Sequence, residues 1–410
     1  MEQRSKHSFS TGSRKASRVE TNPRTPSSSS NQRLFSPAFV ALLLVQFAYG
    51  MAFTTYYALP KFLIQVLHAP ATLVGNAHGA FALAGALAVP LVGVISDRWG
   101  RKPIMLAGLL LGCLSFPLMG YLANPAWILT TRILHGFSFS MVFASGGALA
   151  VDLAPSTRRA EAVGYFGSAM LMTDALGPAL AEFIAARWGW PRVFLLCSAY
   201  SAAGLLVALR LHAPKFSRPD GAWTIPHSLP LSGAYLASLA LGIGVGASKT
   251  FIPATLVVET GQRIAPYFVC YTAGALLLRL AFGSLPDRLG YLRATVLSLS
   301  MYAFSMLAAA SLSAPWLPLA ALFIGMAHGM AYPSSAALSI DLCHPQERGR
   351  VTALCAGFFN VGFGLSATGL APMERWLGYR GLVACGGILL LVCTYGVLRL
   401  VHTRRVVAPG

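Results

Sequence analysis

Asp174, in the stretch MLMTDALGPALAE, is the only acid near the centre of any long apolar run in this chain. A charge at membrane depth is costly, and by default it marks a path for substrate, ions or protons. A carboxyl in such a place can take up and release a proton, so Asp174 is the first candidate for proton coupling; a structural ion pair or helix cap is the other reading. Arg132, in TRILHGFS, is a permanent cation that would form a proton-sensitive pair if it lay beside Asp174. Its alternative is to snorkel toward the lipid headgroups. Lys249 and Arg279 lie in later apolar runs and suit an anionic substrate or a carboxylate partner. His78, His135 and His328 are lone histidines inside apolar runs; such residues usually serve packing, and one of them could relay protons. Gly177-Pro178 predicts a helix bend with freed backbone groups just beyond Asp174. Glu182, a turn further on, reads as a wetted acid at the outer mouth.

Those side chains need elements to carry them. The chain has 410 residues, 55% of them hydrophobic and 11% charged, with a mean hydropathy of +0.62. Soluble domains carry about 25% charged residues, so the bilayer is the solvent that suits this composition. A spanning helix takes about 20 apolar residues. The apolar runs predict an all-α integral membrane protein with twelve spans: 36–58, 72–95, 103–121, 127–151, 162–186, 191–210, 231–257, 265–285, 293–313, 315–341, 350–371 and 379–401. Tyr56, Tyr57, Trp127 and Trp190 read as interfacial belt residues.

The charges orient these spans. Residues 1–35 hold seven Lys/Arg and almost no large apolar side chain, which predicts a disordered basic tail; an organelle transit peptide is the other reading of that composition. With the N-terminus placed in the cytoplasm, 22 Lys/Arg fall on the cytoplasmic side, six on the opposite side and three within spans. The positive-inside rule therefore favours cytoplasmic termini at both ends and an even number of spans. A net charge of +18 would also suit nucleic acid, but the cations sit in short clusters between apolar runs and make no basic face. The seven cysteines show no C-x-x-C and no Cys/His ligand spacing, so neither disulfides nor a metal site is expected. No G-x-S-x-G, H-E-x-x-H or phosphate-binding loop is present, which argues against an enzyme and against a cofactor.

The chain also repeats itself. Gly93, Asp97, Arg98 and Gly100 recur 190 positions later as Gly283, Asp287, Arg288 and Gly290. Asp152, Pro155 and Arg158 are answered by Asp341, Pro345 and Arg348, and Gly136 by Gly325. GWPRVF at 189–194 is answered by GYRGL at 378–382. The predicted organisation is a tail (1–35), a first six-helix bundle (36–210), a cytoplasmic linker (211–230), a second bundle (231–401) and a short tail (402–410). Repeated halves with a site at their interface mark secondary transporters.

Gly93, Asp97, Arg98, Gly100, Arg101 and Lys102 match every position of the loop between helices 2 and 3 of the major facilitator superfamily, and the chain resembles that family over residues 36–401. In the second copy the closing basic pair is replaced by Tyr291 and Leu292. The resemblance implies that Asp97 caps helix 11 near 346–350, and that Asp287 caps helix 5 near 158–161, only while the cytoplasmic side is shut. Arg132 and Gly136 resemble the family's R-x-x-Q-G antiporter pattern, with His135 in place of Gln; Gly177-Pro178 partly matches its span-5 antiporter signature. By analogy, Gln46, Tyr49, His78, His328 and Asn360 would line the cavity. The function implied is proton-coupled export of a small organic compound by a monomer in a bacterial inner membrane. Uptake by symport of a sugar, organic anion or metal chelate is the alternative.

Overall fold

The computed structural model describes residues 34–121, 124–155, 158–213, 226–261, 263–283, 285–344 and 347–402. Most of the basic tail, the middle of the linker and all but the first residue of the C-terminal tail lie outside the described residues. The described chain is helical: α1 (Pro37–Thr55), α2 (Leu59–Gln65), α3 (Ala71–Trp99), α4 (Arg101–Ser115), α5 (Pro125–Leu153), α6 (Arg159–Trp188), α7 (Trp190–Arg210), α8 (Leu229–Thr260), α9 (Ala265–Phe282), α10 (Leu285–Leu289), α11 (Tyr291–Ser311), α12 (Leu317–Asp341), α13 (Arg348–Leu370) and α14 (Glu374–His402). Among the described residues, ten stretches are long and apolar enough to cross a membrane; the last, Arg348–Val401, takes in both α13 and α14, and α12 is not among the ten.

Local chemistry sets the starts and turns. Ser36, Asn124 and Ser228 cap α1, α5 and α8, their side chains accepting the N–H groups of Phe39, Ala126 and Leu231, and each helix carries Pro in its first turn. Tight turns fall on glycines with left-handed φ: Gly100 (89°), Gly189 (82°) and Gly290 (81°) between successive helices, and Gly378 (62°) at a kink within α14. They pair at the repeat spacing, Gly100 with Gly290 and Gly189 with Gly378. The first span ends later than its apolar run: α1 passes through a 3-10 turn at Tyr56–Ala58 into α2. Tyr56 and Tyr57 are therefore buried, 2% and 7% exposed, and are not belt residues.

The packing is also repeated. In the first half of the chain α1 packs on α6 and α7, α3 on α5, and α4 on α5 and α7. In the second half α8 packs on α13 and α14, α9 on α12, and α11 on α12 and α14. The main contacts between the halves, α3 with α13 and α6 with α9, exchange under the same correspondence.

The halves meet at one end only. On α3, positions 75, 79, 83, 86, 90 and 93 form one face toward α13. A methyl added at Gly75 would overlap the carbonyl oxygen of Ala367 and the side chain of Ala371. A Cβ on Gly364 would lie 2.6 Å from Leu83. Further along, Ala86 and Pro90 face Ala353, Gly357 and Phe358 across an apolar cavity of about 180 Å³. At Gly93, and at Gly349 and Gly357 on α13, an added Cβ would meet nothing within 4 Å. On α6, Gly167 and Gly164 are likewise uncontacted. The helices are thus in contact at the end bearing Glu182 (the far end) and splayed at the end bearing the basic loops (the basic end).

Candidate functional site

At the top of this opening, α6 and α8 present the two charges that bridge the halves. Asp174 lies midway along α6 and Lys249 two-thirds along α8. The Lys249 ammonium donates to Asp174 Oδ2 at 2.6 Å and to the Tyr57 hydroxyl at 3.1 Å. It also lies 4.3 Å from the Tyr57 ring centroid and 4.8 Å from that of Tyr271. Both charged residues are 3% exposed. Tyr57 stacks on Phe268 of α9 at 5.3 Å and 9°. One anion, one cation and aromatic faces from both halves therefore meet at this point. Removing one partner of such a buried pair costs about 3–5 kcal/mol, because the other is left unpaired.

The second half fixes the lysine side. Ser248 shares a hydrogen bond with Tyr302 at 2.9 Å, and the Tyr271 hydroxyl bonds His328 Nδ1 at 2.7 Å. The His328 bond holds the Tyr271 ring against the ammonium. Arg279 lies two turns below Tyr271 on α9, toward the basic end, and donates to Gly329 O at 3.4 Å. The structure thus brings Asp174, Lys249 and, through Tyr271, His328 together, with Arg279 two turns nearer the basic end.

Arg132 goes elsewhere. Its expected pairing with Asp174 is not made, because Lys249 occupies the carboxylate. Arg132 is 2% exposed and donates to Ala77 O at 3.0 Å. Its guanidinium lies 4.6 Å from the Phe81 centroid and 5.2 Å from that of Tyr56. The snorkelling alternative also fails, since the side chain is held inside the first half by aromatic faces. His135 packs on Tyr56 and Phe116, and His78 Nδ1 contacts Val74 O within its own helix. Tyr49 is in the first-half core, bonded to Ser138 at 2.8 Å. Gln46 Nε2 contacts Met170 Sδ across α1 and α6, and Asn360 donates to Ala356 O. None of these joins the Asp174–Lys249 pair. α6 continues through Pro178, with Gly177 pressed against Thr54 and Thr55 of α1; the Thr54 hydroxyl sits 2.7 Å from Thr173 O.

Glu182 is more than a wetted acid. It is 7% exposed, pairs with Lys61 of α2, and its Oε2 accepts the backbone N–H of Ala265 at 2.9 Å. Ala265 is the first residue of α9, whose free N–H groups favour a carboxylate. A first-half acid thus caps a second-half helix at the far end. Its position two turns beyond Asp174 on the same helix was the available signal. The sequence held no signal for Tyr57 or Tyr271 at the ammonium, because helix azimuth is set by packing.

The loops at the basic end are apart. Arg98 and Arg288 are exposed. The described partner of Asp287 is the hydroxyl of Tyr291, one turn on, at 3.0 Å. The expected cap by Asp287 at the start of α6 is therefore not formed in this state, and Arg158 there pairs with Glu161. The Asp97 side chain lies outside the described residues. Arg101 instead binds within its own half, donating to Ala148 O and pairing with Asp152. Lys102 donates to Leu209 O and Leu211 O at the end of α7.

Comparison with known proteins agrees with this architecture. The profile of the Major Facilitator Superfamily matches residues 42–236 and again 234–409. A Lactococcus lactis "Multi-drug resistance efflux pump PmrA homolog" is 30% identical over 135 residues, 33% of either chain. The Streptococcus pneumoniae "Multi-drug resistance efflux pump PmrA" is 23% identical over 330 residues, 75% of this chain and 81% of the pump. The chain thus spans about a third of the first relative's length and about four-fifths of the second's. A solved structure of the nucleoside transporter NupG has a TM-score of 0.72 at 13% identity, covering 88% of this chain and 99% of that one. At that identity the likeness speaks for the fold alone.

Proposed function

The chain belongs to the Major Facilitator Superfamily, and from that premise we propose that it is a proton-coupled exporter of a small organic compound, working by alternating access. In this reading the described helices make twelve spans in two six-helix bundles, with α1 and α2 forming one span and α10 lying in a loop. The basic end faces the cytoplasm, the protein sits in a bacterial inner membrane with both termini inside, and it acts as a monomer. The repeated packing pairs and the basic loops support this assignment. The efflux pumps among its relatives favour export.

The observation that carries the mechanism is the buried ion pair between Asp174 of α6 and Lys249 of α8. It ties the halves together where the helices begin to splay, and in this reading the space from the pair to the basic end is the substrate chamber. Substrate enters from that side. Opening the far end requires the pair to separate, and a proton taken up by Asp174 from the far side neutralises the carboxylate and keeps it apart. When the basic end reopens, the proton leaves and the pair reforms. A transporter that exposes one titratable group to each side in turn needs no second carboxylate for coupling.

The test is growth of an efflux-deficient bacterium on a panel of toxic compounds, siderophores and sugars, with wild type and Asp174→Asn at matched membrane levels. Everted vesicles then report whether a conferring compound discharges a pre-formed pH gradient. Resistance and gradient discharge with wild type, both lost in Asp174→Asn, are expected. Resistance that survives the substitution sinks Asp174 as the proton site. Heightened sensitivity or new growth on a substrate turns the assignment to uptake.

A further inference from the structure

The charges inside the helices do not balance. Asp174 and Lys249 neutralise each other, and Glu182 is matched by Lys61 at the far rim. Arg132, also without a carboxylate, is held in the first half by Ala77 O and the faces of Phe81 and Tyr56. Arg279, half-buried in the last turn of α9, has no carboxylate partner among the described residues. Its charge is unmatched on the side from which the basic end opens, and an anion entering there would match it.

The placement of the cations points inward. Among the described residues Arg279 makes one hydrogen bond, a long 3.4 Å bond to Gly329 O, and a guanidinium carries five donors. It lies eight residues before Asp287 and two turns toward the basic end from Tyr271, which touches Lys249. A compound rising from the open basic end meets Arg279 first and Lys249 last. On the first-half side the surroundings are aromatic: Tyr57, which touches Lys249, packs on Phe53 at 5.4 Å, and Phe53 lies 4.6 Å from Phe139 and 5.2 Å from Phe81.

Resting on the reading of this chamber as the transport site, we infer that the transported compound is an organic anion with a flat apolar body, whose acid group exchanges with Asp174 for the Lys249 ammonium. A cationic compound would have to displace Lys249 from Asp174, leaving a second unmatched cation beside Arg279. An anion leaves the chamber nearer neutrality and keeps Lys249 paired throughout.

The test uses three probes of one shape: 2-naphthoate, 2-naphthamide and 2-naphthylmethylammonium. Apparent affinities come from ligand-dependent thermal unfolding of the full chain in detergent. Tight stabilisation by naphthoate alone is expected. Arg279→Gln, which leaves the Asp174–Lys249 pair intact, should weaken naphthoate about tenfold, the worth of one charge-assisted hydrogen bond. Asp174→Asn should strengthen naphthoate binding, because Lys249 is then free. Preference for the ammonium, equal stabilisation by all three probes, stabilisation by none at millimolar concentration, or weaker naphthoate binding in Asp174→Asn would each overturn the inference. No gradient exists in detergent, so the charge preference stands or falls separately from proton-driven export, which the vesicle assay reads.

Discussion

Gly75 offers a direct test of how the far end shuts. In this state its Cα lies against α13 so closely that an alanine methyl would overlap the carbonyl oxygen of Ala367 and the Cβ of Ala371. The first obstacle is backbone and cannot rotate away, so relief requires α3 and α13 to separate. Overpacking of this kind costs about 1–3 kcal/mol, which lowers the population of the far-end-shut state about 5- to 150-fold relative to its alternatives. Gly93→Ala, four turns and more along the same face, adds a methyl that meets nothing within 4 Å and serves as the control. Spin labels at Val66 and Met373, exposed positions on opposite sides of the far-end seam, report the separation by pulsed electron resonance in a background lacking the seven native cysteines. Gly75→Ala should move the distance distribution to longer values, and Gly93→Ala should not. An unchanged distribution in a folded Gly75→Ala protein would refute the claim that this contact closes the far end.

Two further outcomes follow from the same seam. Glu182→Ala removes the Lys61 pair and the carboxylate on the Ala265 N–H, and should favour far-end opening by about 1–2 kcal/mol, read by the same labels; Glu182→Gln should fall between it and wild type. Lys249→Gln alone should lower thermal stability by about 3–5 kcal/mol, whereas Asp174→Asn combined with Lys249→Gln should cost much less, so the double-mutant cycle in thermal unfolding should show strong coupling. Additive single effects would mean that the pair contributes nothing as a pair.

The helices and the site were legible in the sequence to different depths, for physical reasons. Apolar runs of spanning length, bounded by Gly, Pro and charge, reveal where helices lie, and the echo of Gly93 to Gly100 in Gly283 to Gly290 reveals that the fold is doubled. The run ending at position 58 gave no warning that the chain would continue helical to Gln65, because a 3-10 turn and a proline carry the helix on without an apolar run. Asp174 stood out because a lone acid at membrane depth has to have a purpose. Its partner did not, because Lys249 comes from 75 positions away and the facing of two helices is decided by packing. Arg132 looked the better partner by its place in a motif, yet aromatic faces in its own half satisfy it. Conformational state is likewise invisible in sequence, since composition and spacing do not say which helix ends touch.

What the doubled fold repeats is scaffolding, and what it does not repeat is chemistry. The turn glycines recur at Gly100 and Gly290 and at Gly189 and Gly378. The close helix contacts recur as well: an added Cβ at Gly136 would meet the α3 backbone at Phe81, and one at Gly325 the α9 backbone at Tyr271. Moving Asp174 forward by the 189 positions that separate Gly189 from Gly378 lands on Phe363, a buried aromatic. The carboxylate therefore has no counterpart in α13, and among the described residues the first half supplies the one mid-depth acid while the second supplies the ammonium it meets. In the proposed antiport cycle two like halves rock against each other while an unlike pair across the seam makes that motion depend on a proton, so the repeat supplies the motion and the unrepeated Asp174–Lys249 pair supplies the coupling.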